Sequence, residues 1–157
     1  MILQHYQAIK QLIEQIPEIR KVEFYNEQYQ HYEQLNANEF PIAYVEFQQP
    51  IQWETAGEGL QISRNAVINV HLVDVDIKND ITGLLQLATE LHKKLHLAKL
   101  MNAQEQLTTA LMRTASDIKQ FDQIKTVILT YETALYDRSA MREYQEVTVN
   151  PVIVPNT

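Results

Sequence analysis

The chain has 157 residues, 45% of them hydrophobic and 21% charged, with a formal net charge of -7 and no cysteine. That length suits one domain with a core large enough to need no staple of metal or disulfide. Acidic residues outnumber basic ones 20 to 13 and the basic ones are scattered, which argues against a phosphate-binding surface, while zero cysteines exclude a disulfide framework and a thiolate zinc site.

Residues 1–16 carry Lys10 and Glu14 inside their apolar pattern, unlike a signal peptide, and no run of about 18 apolar residues occurs, so the expectation is a chain kept in solution. Ile2, Tyr6, Ile9, Ile13 and Ile16 recur at steps of four and three, one stripe of an amphipathic helix that Pro17 ends. Val22 and Phe24 suggest a short strand. Residues 25–38 are polar and aromatic without a clean period and read as a long loop.

Phe40-Pro41 opens a second strand over residues 42–47, with the proline where a missing N–H is tolerated. Gly57 and Gly59 mark a turn that calls for positive φ. The strongest strand follows: Ala66, Ile68, Val70 and Leu72 line an apolar face, and Val67, Asn69, His71 and Val73 a mixed one. Asn79-Asp80 is an N-cap signal for a second helix whose buried stripe is Ile81, Leu84, Leu85, Ala88, Leu91 and Leu95. Leu107, Thr109, Leu111 and Arg113 suggest another strand, the polar residues 117–123 a hairpin loop, and residues 124–136 a long closing strand. The expected architecture is α/β in the α+β sense. A mixed, mostly antiparallel sheet of about four to five strands carries two main helices packed on one face. One domain spans residues 1–137, and an extended C-terminal arm spans residues 138–157. Val147-Thr148-Val149 and Val152-Ile153-Val154 in that arm are β-prone but broken by Pro151 and Pro155, as in a segment that pairs at a sheet edge.

No motif with a catalytic mechanism is present. His92 and His96 stand one helical turn apart, but the His-Glu-x-x-His arrangement is absent and Lys93-Lys94 lies between them, so the pair reads as a solvated helix face. His71 reads as a hydrogen-bonded strand histidine, and Asp74 with Asp76 as solvated charges at a strand end. Gly57-Glu58-Gly59 precedes a strand and lacks the remainder of a phosphate loop. A metal-dependent hydrolase or small-ligand binder would have to gather His71, His92, His96, Asp74 and Asp76 into one pocket. The expectation is therefore no enzyme, no cofactor and no metal. The aromatic supply is more suggestive. Tyr25, Tyr29 and Tyr32 in a polar segment read as interface residues, and Trp53 in the glycine-bearing loop fits interface and satellite core equally. With Val147, Val149, Val152 and Val154 of the arm, they form the candidate interface.

The runs Phe40-Pro41-Ile42-Ala43-Tyr44-Val45-Glu46-Phe47, Trp53-Glu54, Gly57-Glu58-Gly59-Leu60-Gln61 and Val67-Ile68-Asn69-Val70-His71-Leu72-Val73 resemble a family of phage proteins. So do Arg113 and Thr130-Tyr131-Glu132-Thr133 followed by Tyr136-Asp137. These are the head–tail joining, tail-completion or tail-terminator proteins of long-tailed phages and prophages. The resemblance follows the element order over residues 1–137, with its specific words in residues 40–75. It implies a homo-oligomeric ring, commonly of six, at the tail end, contacting tail-tube and head-completion proteins. It also implies assembly in the bacterial host cytoplasm and a place in the virion; the acidic charge balance and the lack of a long apolar run add the expectation of no sequence-specific nucleic acid and no membrane as partner. Another minor tail or baseplate component is the alternative.

Overall fold

The computed structural model describes residues 2–27, 37–75, 80–121 and 123–141. Its elements in chain order are α1 (Leu3–Glu14), β1 (Lys21–Phe24), β2 (Ile42–Phe47), β3 (Glu54–Thr55), β4 (Gln61–Val75), α2 (Thr82–Leu95), β5 (Met101–Asn102), β6 (Glu105–Gln106), β7 (Met112–Phe121) and β8 (Ile124–Asp137). The main sheet has six strands, more than the four to five expected from the sequence. Its path is β1-β2-β4-β8-β7, with β3 paired to the start of β4, and β5-β6 forms a separate small hairpin. Only β1 and β2 run parallel; the other pairs in the sheet are antiparallel. The fold is α+β.

Alternation along the strands divides the sheet into two faces. Ala43, Val45 and Phe47 of β2, Ile68, Val70 and Leu72 of β4, and Val127, Leu129 and Tyr131 of β8 face both helices in one continuous core. Helix α1 contributes Ile9 and Ile13, and α2 contributes Leu84, Leu87, Ala88, Leu91 and Leu95. Each such Leu or Ile stabilises the fold by roughly 1.5–3 kcal/mol through removal from water. The opposite face holds a smaller cluster of Phe40, Ile42, Tyr44, Val73 and Ile124, with Tyr25 and Val75 at its margin.

Helix α1 ends where Pro17 requires it. The N–H of Thr82 at the head of α2 donates to Asp80 Oδ1 at 2.9 Å, but the N-cap is Ile81, one residue later than the capping signal placed it, and its side chain makes no capping bond. The buried stripe of α2 is corrected at one turn: Leu87 is buried at 9% exposure and Leu85 is exposed at 37%. Both fit a 3.6-residue period, and only the direction from which the sheet approaches decides between them. The glycine turn has Gly59 at φ +87 and, unexpectedly, Glu58 at φ 67, while Gly57 has no positive φ.

The largest departure concerns residues 107–123. Residues 107–111 are not a strand; they run beside β8 with one bridge, Thr108 to Leu135. The strand is β7, and the predicted polar loop over 117–123 is mostly strand, with Asp117 paired to Ile128 and Phe121 to Ile124. Strand β7 lies at the sheet edge with residues 112–120 all exposed, so no buried face imposes apolar alternation on it.

Candidate functional site

Residues one apart along β4 face opposite ways, so Asn69 and the strand neighbours in register with it, Glu46 on β2 and Thr130 on β8, form one row on the face away from the helices. That row is fully engaged. The Thr130 hydroxyl donates to Asn69 Oδ1 at 2.7 Å, and Asn69 Nδ2 donates to Glu46 Oε1 at 2.7 Å. His71 Nε2 lies 3.3 Å from the same carboxylate oxygen. Tyr25 stacks flat on the His71 ring, with centroids 4.2 Å apart and planes 7° apart. Burial pushes the His71 pKa down, opposed by the hydrogen bond and charge of Glu46. The neutral ring is thereby favoured and donates to Glu46. This arrangement braces three strands.

On the helix face a second set forms around the end of α2. His92 Nδ1 lies 3.0 Å from the Tyr131 hydroxyl, and the His92 and His96 rings lie 4.8 Å apart. Burial pushes the Tyr131 phenol up to about 12, so it keeps its proton and can donate to His92. The Arg113 backbone N–H donates to His96 Nδ1 at 3.3 Å, which leaves the proton of a neutral ring on Nε2 and denies a cation that lone pair. His71 and His92 thus sit on opposite faces of the sheet, and Asp74 lies near Leu84 and Leu87 beneath α2. The shared pocket that a metal-dependent reading requires is not formed by these side chains. Asp76 lies outside the described residues. Among the described residues, no group of three or more His, Asp or Glu is placed to hold an ion.

Of the candidate interface residues, Tyr25 and Trp53 are described. Tyr25 is partly buried on the second face. Trp53 packs against the main core and lines a cavity of about 440 Å³ with Gln48, Pro50, Arg64 and Asn65. Tyr29, Tyr32, Val147, Val149, Val152 and Val154 lie outside the described residues. Three exposed apolar side chains stand at the two ends of the sheet: Phe24 of β1 at 42%, and Met112 and Ile118 of β7 at 48% and 55%. Phe24 meets Tyr6 edge-on at 5.4 Å and stacks with Phe47 at 6.2 Å. It borders an open groove of about 850 Å³ between α1 and β1.

The fold is shared with a virion chain. A chain of a solved structure, "Virion of native gene transfer agent (GTA) particle", aligns with a TM-score of 0.53 at 10% identity, covering 86% of this chain and 95% of that one. At that identity the likeness is one of fold. No protein-family model and no curated protein matches the sequence.

Sequence reasoning missed Phe24, Met112 and Ile118 as surface features. For Phe24 the signal was available in the short alternation of β1, which puts Val22 and Phe24 on one side while only Val22 is buried. For β7 it was absent, because Met112 and Ile118 are isolated large apolar residues in a polar stretch.

Proposed function

We propose that this chain is a structural virion protein of a phage-type particle. It assembles by protein–protein contacts into an oligomeric ring at the tail end, in the manner of tail-terminator and head–tail joining proteins. One observation carries the reading: the architecture extends over 95% of a chain from a gene transfer agent virion. The sequence words in residues 40–75 support the same assignment independently, since they fall on β2, the β3–β4 turn and β4 at the centre of the sheet.

The polar residues of the second face are consumed in bracing the sheet, and the histidines that a catalytic reading would use stand on different faces. Binding therefore falls to the periphery: the sheet edges, the Trp53 loop and the C-terminal arm. A ring needs a heterologous interface, one patch meeting a different patch on the neighbour, and the two ends of this sheet are different patches. A net charge of -7 suits a lumen that DNA traverses without being held.

Native mass spectrometry and light scattering on the purified chain, alone and with tail-tube protein, test the proposal. One discrete oligomer is expected. A monomer at every concentration and with tail-tube protein present refutes the ring, and co-purification with baseplate proteins in place of tube proteins moves the chain to the alternative role.

A further inference from the structure

Strand β7 ends the sheet, and no described segment lies on its outer side. Which backbone groups face outward follows from its neighbour. Thr109 N–H donates to the Ala134 carbonyl and Tyr136 N–H to the Leu107 carbonyl, so even-numbered residues of β8 point toward the β7 side. Alternation carries this to Thr130, Ile128 and Thr126, whose partners are Ala115, Asp117 and Lys119. The N–H and C=O groups of Ser116, Ile118 and Gln120 consequently face away from the sheet. Residues 112–120 are exposed throughout and contain no proline. An open edge of this length is a template for a further strand.

We propose that the occupant of this edge is the C-terminal segment 147–154 of a second copy of the chain, added as a further strand beyond β7. The proposal rests on the ring reading above and names the contact that would close it. Two observations select the occupant. The first is the composition of that segment: Val147-Thr148-Val149 and Val152-Ile153-Val154 are β-prone, and both prolines, Pro151 and Pro155, are odd-numbered. A strand through them offers an unbroken set of N–H donors from Thr148, Asn150, Val152 and Val154, with each proline nitrogen turned outward where no bond is needed.

The second observation is where the described chain ends. A Cβ on Gly59 would stand 3.4 Å from Met141 Cα, and Gly59 lies just before Gln61, the β4 partner of Asp137. The chain therefore leaves on the β4 side of β8, whereas β7 flanks the other side. Ser116 pairs with Leu129, eight residues before Asp137 (137 − 129), which is about 26 Å along the sheet at ~3.3 Å per residue. Residue 147 lies six residues past Met141 and reaches about 21 Å when fully extended. A chain's own residue 147 thus stops short of its own Ser116, a limit that a neighbour's arm does not have. Donor arm and acceptor edge are different patches, which makes the contact head-to-tail.

The test uses three full-length variants and native mass spectrometry. Ile118→Pro removes an outward N–H from the acceptor without touching the bonds to β8; Val152→Pro removes a donor from the arm; Ile153→Pro alters an arm position whose N–H faces outward. The first two are expected to be folded monomers under conditions where the unmodified chain is oligomeric, and Ile153→Pro to assemble as the unmodified chain does. Mixing Ile118→Pro with Val152→Pro restores one intact arm and one intact edge and is expected to yield a 1:1 heterodimer. Oligomers that survive both Ile118→Pro and Val152→Pro overturn this contact and leave the ring reading standing. Two monomers that fail to pair on mixing also overturn it. If Ile118→Pro does not fold, the comparison of Val152→Pro with Ile153→Pro decides alone, equal assembly of the two refuting the proposal. A monomeric unmodified chain, alone and with tail-tube protein, removes the ring reading and this contact together.

Discussion

Replacing Asn69 with alanine removes the centre of the row that ties β2, β4 and β8 together. Two hydrogen bonds of 2.7 Å are lost, one received from Thr130 and one donated to the Glu46 carboxylate. A neutral bond contributes about 1 kcal/mol net and one to a charged group about 1.5–3 kcal/mol. Asn69 is only half-buried, so water replaces part of what is lost, and about 2 kcal/mol is the expected destabilisation. At roughly 2–4 °C per kcal/mol for a chain of this size, Tm falls by about 4–8 °C. Urea unfolding followed by circular dichroism measures the free energy, and a cycle with Thr130→Val isolates the shared bond, with a coupling of about 0.5–1 kcal/mol expected. A loss under about 0.5 kcal/mol with no coupling would mean that the row is solvated decoration and that the second face remains open for other work.

Gly59 has φ +87, and a Cβ there would stand 2.6 Å from the Ala140 carbonyl oxygen, so Gly59→Ala is expected to cost about 1–3 kcal/mol, while Gly57→Ala, with nothing within 4 Å, stays within about 0.5 kcal/mol; thermal melts compare the two. Leu91→Ala, at a position 0% exposed, is expected to cost about 2–5 kcal/mol by chemical denaturation, against less than about 1 kcal/mol for Leu85→Ala on the solvent side of the same helix. Burial holds both His5 and His71 below the ordinary 6.5 in the folded state. The unfolded chain therefore binds more protons at these positions below about pH 6.5, so their contribution is fully present above that pH and declines as pH falls toward the folded values. Each contributes a slope of at most ~1.4 kcal/mol per pH unit, and His71→Phe, which keeps a ring against Tyr25, is expected to reduce the acid-side slope seen in urea melts at a series of pH values.

Elements with one buried face were legible in the sequence because burial imposes a period. The stripe of α1, the apolar side of β4 and the closing strand β8 all follow from it, and so does the assignment of both helices to one side of the sheet. Strand β7 was not legible. Its ten residues touch one neighbour along one edge, so Asp117, Lys119 and Gln120 satisfy the backbone as well as valines would, and polarity was read as a loop. The half-buried row from Thr130 to His71 illustrates a different limit. Its members have ordinary polar identities, and they become a network only once register places residues 46, 69 and 130 side by side.

By itself the sequence determined the fold class, the two amphipathic helices and the apolar face of the central strands, since each depends on spacing within one segment. It also carried the resemblance to tail-end proteins in the words of residues 40–75. Only the tertiary structure decided which way α2 turns its leucines, that His71 and His92 stand on opposite faces, and that β7 is the last strand of the sheet among the described residues. Those facts depend on distance and direction between segments far apart in the chain, which no local period encodes.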